Sequence, residues 1–101
     1  MNTSVLQHDL DFTRKIILKR LKNYRARIYL FGSQATGKAR LYSDIDVAVL
    51  PLQEIPVSML SEIREELEES DVVRNVDMVD LAEADESFRQ RVEREGVIWK
   101  D

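Results

Sequence analysis

Two aspartates separated by one residue, Asp44 and Asp46, have the clearest potential for chemistry in this chain. They begin a stretch from Asp44 to Leu50 whose alternating start and apolar continuation predict a β-strand. Because successive strand side chains point to opposite faces, both carboxylates should lie on one face and the isoleucine between them on the other. Neighbouring carboxylates repel each other unless a cation lies between them, and Mg²⁺ prefers oxygen ligands. The pair therefore indicates a magnesium site.

A Gly-Ser turn, Gly32-Ser33, precedes the aspartate pair and ends a short apolar run, residues 26–31, that predicts a first strand. A short helix is expected after the turn, over residues 34–39. Backbone N–H groups at a helix start attract phosphate, and Gly32 allows the backbone to approach it closely. We expect the Ser33 hydroxyl and the following N–H groups to contact the β- and γ-phosphates of a nucleoside triphosphate bound beside the carboxylates.

Further candidates for nucleotide binding follow the turn. Lys38 or Arg40 is expected to reach the triphosphate tail, and the sequence leaves the choice between them open. Ser43 either orients an aspartate through a hydrogen bond or only begins the strand. Residues 32–39 also nearly match the P-loop pattern G-x-x-x-x-G-K-[ST]. Ala39 replaces the hydroxyl residue that binds Mg²⁺ in a P-loop, and this argues against that alternative.

A third carboxylate, Asp77, lies within an apolar run, residues 72–81, that predicts another strand. An aspartate inside an apolar strand is costly unless it is paired or bound to metal. If this strand lies beside the one that carries the aspartate pair, Asp77 completes an acidic cluster. Asp80 is the competing candidate, but its place at the strand end, with Glu83 three residues later, favours a role in capping the next helix.

The Gly-Ser turn, Ala35, Gly37 and the stretch from Ser43 to Asp46 resemble the signature of nucleotidyltransferases of the DNA polymerase beta superfamily. Within that superfamily the chain is similar to the minimal nucleotidyltransferase (MNT) domain proteins, and the order of the predicted elements fits them over nearly the whole chain. The resemblance implies a polymerase-beta-like nucleotidyltransferase fold: an α/β (α+β) domain with a small mixed β-sheet of three to four strands flanked by helices.

The resemblance also implies the roles of the site residues. Asp44 and Asp46 would hold two Mg²⁺ ions, and Asp77 would ligate the catalytic ion and help to deprotonate an acceptor hydroxyl. The substrate would be ATP by family default, and pyrophosphate would leave. MNT proteins of this size are commonly paired with a helical HEPN-domain protein, which implies AMP transfer to that partner and an antitoxin role. Two alternatives stay open: neutralisation of the partner by binding alone, and transfer to a small hydroxylated molecule.

Length and composition restrict the class of protein. A chain of 101 residues fits a single domain with one modest core. The absence of cysteine excludes a disulfide framework and thiolate metal sites. No apolar run has the length of a membrane span, and the first ten residues lack the apolar core of a signal peptide. We therefore expect a soluble cytoplasmic protein.

The distribution of charge is uneven. Nine basic and no acidic residues lie between Phe12 and Ser43, whereas the net charge of the whole chain is −4. The basic segment could attract a triphosphate or an acidic partner, or it could simply be the solvated face of a helix. The acidic total argues against a nucleic-acid-binding protein.

Three longer helices are expected around the sheet. The first would be capped by Asp9 or Asp11 and run to about residue 23. The second would follow Ser58, and the third would span residues 84–95 and stop at Gly96. The last apolar residues, 97–99, would add a short edge strand, with Trp99 packed on the core.

Overall fold

The computed structural model describes residues 2–37 and 43–101. Four helices and four strands alternate along these ranges. In chain order they are α1 (Asn2–Leu21), β1 (Ala26–Phe31), α2 (Ser33–Thr36), β2 (Ile45–Pro51), α3 (Met59–Glu68), β3 (Val76–Asp80), α4 (Glu86–Glu95) and β4 (Val97–Lys100). None of the helices in these two ranges combines the length and the apolar character that crossing a membrane requires.

The four strands form one mixed sheet in the order β3-β2-β1-β4. β1 pairs antiparallel with both β2 and β4, while β2 and β3 run parallel. The predicted α/β fold, with a small mixed sheet flanked by helices, is therefore confirmed. β1 has the predicted bounds, and β4 extends the predicted edge strand by one residue. β3 starts four residues later than predicted, at Val76.

One face of the sheet is buried beneath α1 and α3. The helices contribute apolar pairs at i,i+4 spacing, such as Ile17 with Leu21 and Ile63 with Leu67, which place two side chains on the same helix face. The strands contribute their alternate residues, and Trp99 packs against the same core partly buried. The buried strand residues include Ile28, Leu30, Ile45, Val47, Val49 and Met78. Burial of these residues determines which strand side chains must point to the opposite face.

The opposite face carries a second, smaller core beneath α4. Tyr29, Ala48, Leu81 and Val92 are buried there. The rings of Phe31 and Phe88 meet edge to face, with their centroids 5.7 Å apart, in the partly buried margin of this core. The aspartates at the start of β2 and β3 share this face, and Asp77 is exposed. The smaller core therefore leaves that end of the sheet accessible to solvent.

The predicted cap of the first helix is wrong. α1 starts at Asn2, so neither Asp9 nor Asp11 lies at its beginning. Asp9 is instead a fully buried residue inside the helix, and Asp11 is exposed. A polar residue near the beginning of a long helix does not by itself mark the helix start, because its side chain can form hydrogen bonds with a distant part of the chain.

The capping role predicted for Asp80 is also wrong. Its carboxylate accepts a hydrogen bond from the Ala82 N–H at 2.9 Å and so stabilises the turn after β3. α4 starts at Glu86 because Asp85 caps it, accepting from the Phe88 N–H at 2.8 Å. The predicted end of this helix at Gly96 is confirmed.

Candidate active site

Parallel pairing of β2 and β3 brings two of the candidate carboxylates together. Asp46 is the direct pairing partner of Asp77. Directly paired residues of adjacent strands project from the same sheet face, and here it is the face opposite Ile45 and Met78, which are buried in the main core. The structure therefore places Asp77 beside Asp46, whereas Asp80 lies three residues further along, paired with Val49.

Asp44 lies just outside β2, which begins one residue later than predicted. Its carboxylate is exposed and accepts a 3.5 Å hydrogen bond from the side-chain amide of Asn75. The backbone carbonyl of Asn75 accepts from the Ile45 N–H at 2.9 Å. Asn75, the residue before β3, thus contacts both Asp44 and Ile45, the first residue of β2. Sequence reasoning missed it, since its only signal is its position two residues before Asp77.

The Asp46 carboxyl has an unfavourable electrostatic environment. Burial is the main cause that raises its pKa above the usual range, and repulsion from Asp77 and then Asp44 raises it further. Negative charge is therefore concentrated at this end of the sheet without a compensating cation among the groups that affect Asp46. Such an arrangement favours binding of a cation over ionisation of all three acids alone.

The Gly-Ser turn packs directly against this acidic group. Gly32 has φ +73° and ψ −154°, a backbone conformation that only glycine adopts readily. A Cβ at this position would overlap the carboxylate of Asp46. Both the backbone conformation and the close packing against Asp46 therefore require glycine at this position. The turn after β1 and the acid on β2 are thus in direct contact.

The two halves of the predicted motif are also joined by a hydrogen bond. Ser33 is the first residue of α2, which is a single turn that ends at Gly37, in the left-handed conformation with φ +76°. Gln34, in the same turn, donates from its side chain to the backbone carbonyl of Ser43 at 3.3 Å. This contact fixes Ser43 beside the Gly-Ser turn, immediately before the aspartates. Gln34 was not identified from the sequence, because glutamine has no specific role in the pattern.

Two of the predicted phosphate ligands, Lys38 and Arg40, lie outside the described residues. The P-loop alternative does not fit the described topology, because β1 is followed by an antiparallel strand, β2, and not by a crossover to a parallel neighbour.

A cleft of about 270 Å³ lies next to the turn and is lined by residues of β1, α2 and α4. Its lining residues are Phe31, Gly32, Ser33, Thr36, Phe88, Arg91, Val92 and Glu95. The Arg91 guanidinium lies 3.6 Å from the Glu95 carboxylate and is largely exposed. Arg91 is therefore a cationic group next to the Gly-Ser turn that the motif did not reveal.

The oxygen donors at this end of the sheet suit Mg²⁺. In the described ranges no three acidic, histidine or cysteine side chains already form a metal-binding group. A group of three protein ligands is not needed for Mg²⁺, which usually retains several waters and binds through one or two carboxylates together with substrate phosphates.

The fold and the acidic end of the sheet define a small nucleotidyltransferase-type α/β domain. Residues 14–100 match the family described as "Polymerase beta, Nucleotidyltransferase". The chain therefore belongs to this family.

Individual relatives agree with this assignment. The chain is 28% identical over 97 residues to the "Probable protein adenylyltransferase MntA" of Haemophilus influenzae, covering 96% of this chain and 83% of that protein. It also resembles a chain of a toxin–antitoxin crystal structure with AMP-PNP, with 31% identity, a TM-score of 0.67, and coverage of 86% of this chain and 72% of that chain. A structure of the tri-AMPylated HEPN toxin of Shewanella oneidensis with its MNT antitoxin matches with 30% identity and a TM-score of 0.60, covering 89% and 71% of the two chains.

Proposed function

We propose that this protein is a Mg²⁺-dependent nucleotidyltransferase that transfers AMP from ATP to a HEPN-type toxin partner and thereby acts as its antitoxin. The observation that carries the proposal is the pairing of Asp46 with Asp77 on one sheet face, beside Asp44 and in contact with the Gly32 turn. Relatives named as a protein adenylyltransferase and as the antitoxin of an AMPylated HEPN toxin support the choice of nucleotide and of acceptor.

Asp44, Asp46 and Asp77 are the proposed magnesium ligands. When bound, Mg²⁺ would neutralise charge on the triphosphate and stabilise the negative charge that develops on the leaving pyrophosphate. The side chains contribute only oxygen donors, which is the ligand type that this ion prefers.

The remaining residues bind and orient the substrate. Ser33 and the N–H groups at the start of α2 contact the β- and γ-phosphates, and Gly32 lets this turn pack against the Asp46 carboxylate, which brings the phosphates beside the acidic cluster. Ser43, held by Gln34, fixes the backbone just before Asp44. Lys38 or Arg40 is the proposed cationic contact to the triphosphate tail. Together these contacts would hold the α-phosphorus close to the carboxylates, and positioning of this kind supplies a large share of catalysis in phosphoryl chemistry.

The transfer step follows from this placement. A hydroxyl oxygen of the acceptor attacks the α-phosphorus of ATP, and a new oxygen–phosphorus bond forms. The bond from the α-phosphorus to the oxygen that bridges to the β-phosphorus breaks, and pyrophosphate leaves with that electron pair. Asp77 accepts the proton of the attacking hydroxyl. The products are the AMP ester of the acceptor and pyrophosphate.

The acceptor is proposed to come from another protein. Along the described ranges every long helix packs on the single sheet, and none builds a second lobe over the acidic end. Asp77 is exposed there, at the edge strand β3. A tyrosine or another hydroxyl presented by the partner can therefore approach Asp77 from solvent.

Incubation with ATP labelled at the α-phosphate, Mg²⁺ and the HEPN partner tests the proposal. We expect label on the partner, and its loss in the Asp44→Ala/Asp46→Ala double variant and in Asp77→Asn. Asp80→Asn is the matched control, because it removes a carboxylate from the same strand outside the cluster, and it should retain transfer. If the double variant still protects against the toxin although transfer is lost, the protein neutralises by binding. Label found only on small molecules would contradict the protein acceptor.

A further inference from the structure

Asp9 is a buried charge that the catalytic proposal does not use. It lies in α1, and its side chain has no solvent exposure. The carboxylate accepts hydrogen bonds from the backbone N–H of Val73 at 3.2 Å and of Arg74 at 3.1 Å. The Arg74 guanidinium donates a third bond, at 3.2 Å, and forms a nearly buried ion pair. A buried carboxylate is costly unless donors compensate it, and here the three hydrogen-bond donors all belong to residues 73 and 74, while the His8 ring nitrogen lies 3.9 Å away.

That segment leads directly into the acidic cluster. Asn75 follows Arg74, donates to Asp44 and accepts from the Ile45 N–H. Two residues later in β3, Asp77 pairs with Asp46. The backbone that Asp9 holds therefore determines both where the Asn75 amide meets Asp44 and how β3 enters the sheet beside β2.

We propose that Asp9 and Arg74 form a latch, and that this latch makes Asp9, Arg74 and Asn75 positioning residues for the acidic cluster. The latch fixes the backbone of residues 73–75 to α1, and Asn75 transmits that position to Asp44. This inference depends on the proposed function, because the cluster that it positions is the proposed magnesium and ATP site.

The type of contact distinguishes the latch from an ordinary stabilising ion pair. Arg20 and Glu66 form a pair between α1 and α3 with an N–O distance of 2.7 Å, but both side chains are about one-third exposed. The hydrogen bond of that pair joins two side chains of α1 and α3 and holds no backbone group. Asp9 instead binds two successive backbone N–H groups, so its loss should change the path of the chain that carries Asn75.

The test compares Asp9→Asn and Asn75→Ala with Glu66→Gln, which breaks the Arg20 pair outside the site. Three quantities are measured for each folded variant: the Mg²⁺ concentration that gives half-maximal AMP transfer, the affinity for AMP-PNP by calorimetry, and the side-chain and backbone amide resonances of residues 73–75 in Mg²⁺-free buffer. Removing a hydrogen-bonding partner of a metal ligand typically costs about 10–100-fold in metal affinity or activity. We expect both site variants to raise the Mg²⁺ midpoint about tenfold or more, and Glu66→Gln to leave it unchanged.

The amide resonances distinguish a change in the position of Asn75 from a general loss of stability. Asp9→Asn should shift the Asn75 side-chain amide, whereas Glu66→Gln should not, even where both lower the denaturation midpoint. The inference is overturned if the Mg²⁺ midpoint and the Asn75 resonance of Asp9→Asn both equal those of the wild type. Asn75→Ala is the variant to use if Asp9→Asn folds poorly, because Asn75 is exposed. A wild-type Mg²⁺ midpoint in Asn75→Ala would also overturn the inference. If the wild-type protein neither binds AMP-PNP nor transfers AMP, the proposed function itself fails first.

Discussion

Asp46, a proposed magnesium ligand, illustrates how a site residue can destabilise the metal-free protein. Because burial and the neighbouring acids raise its pKa, the folded state binds a proton at Asp46 more tightly than the unfolded state does. The free energy of unfolding therefore loses this contribution as the pH rises through the raised pKa, and the ionised carboxylate is unfavourable at neutral pH. Mg²⁺ would remove that penalty by compensating the charge.

We predict that Asp46→Asn stabilises the Mg²⁺-free protein at pH 7.5 although it abolishes AMP transfer. The carboxylate is only partly buried, so solvent screens the repulsion and the gain should be about 1 kcal/mol or less, which is a few degrees in melting temperature. Thermal denaturation in EDTA measures it. The gain should vanish below the ordinary pKa of an aspartate, about 3.9, where both side chains are neutral. The exposed Asp71→Asn is the control, and an equal gain there would contradict the explanation.

Gly32 gives a second test at the scale of single residues. Gly32→Ala places a methyl group against the Asp46 carboxylate and strains the backbone. We expect it to lower the free energy of unfolding by about 1–3 kcal/mol and to reduce AMP transfer more than tenfold. Gly37→Ala is the matched control, because Gly37 also has a positive φ but no atom within 4 Å of an added Cβ. Chemical denaturation and initial rates measure both effects, and equal losses of transfer would rule out the carboxylate clash as the cause.

Among the elements, α4 shows which side chain defines a helix start. Asp85, and not Asp80, accepts a hydrogen bond from a backbone N–H of the first turn. We predict that Asp85→Ala lowers the free energy of unfolding by about 1 kcal/mol, the usual cost of losing an N-cap. Glu83→Ala, an exposed change in the same loop, should cost much less. Urea denaturation compares the two variants. An equal loss in the free energy of unfolding would show that the capping hydrogen bond of Asp85 does not stabilise the protein.

The elements themselves were largely predictable, since the periodicity of apolar residues reports which faces are buried. β1, the stop of α4 at Gly96 and the apolar stripe of α3 follow from local pattern. The order of the strands was not predicted, because no local pattern specifies that β3 pairs parallel with β2; the family resemblance implied only that Asp77, on a following strand, joins the other two acids. Asp9, Gln34 and Asn75 could not be identified, because their significance comes from partners nine to sixty-five residues away in sequence.

At the scale of the whole molecule, the uneven charge is partly balanced internally. The basic segment that starts in α1 packs beside the acidic α3, and Arg20 pairs there with Glu66. Such a pair contributes little to stability because it is partly solvated. The basic residues of α1 are therefore not all available to attract a ligand, and the basic segment alone does not indicate a nucleic-acid partner.

Binding of the nucleotide should therefore be detectable in the stability of the whole fold. A ligand that binds only the folded state, at 100 times its dissociation constant, adds about 2.7 kcal/mol to the free energy of unfolding, which for a domain of this size is roughly 10–20 °C. We predict a rise of this order with Mg²⁺ and AMP-PNP together, and its reversal when EDTA removes the metal. AMP-PNP with EDTA from the start should have a much smaller effect, because the carboxylates then repel the phosphates. Scanning calorimetry of the wild type and of Asp44→Asn/Asp46→Asn measures this. An equal rise in the double variant would show that the nucleotide binds somewhere other than the acidic end of the sheet.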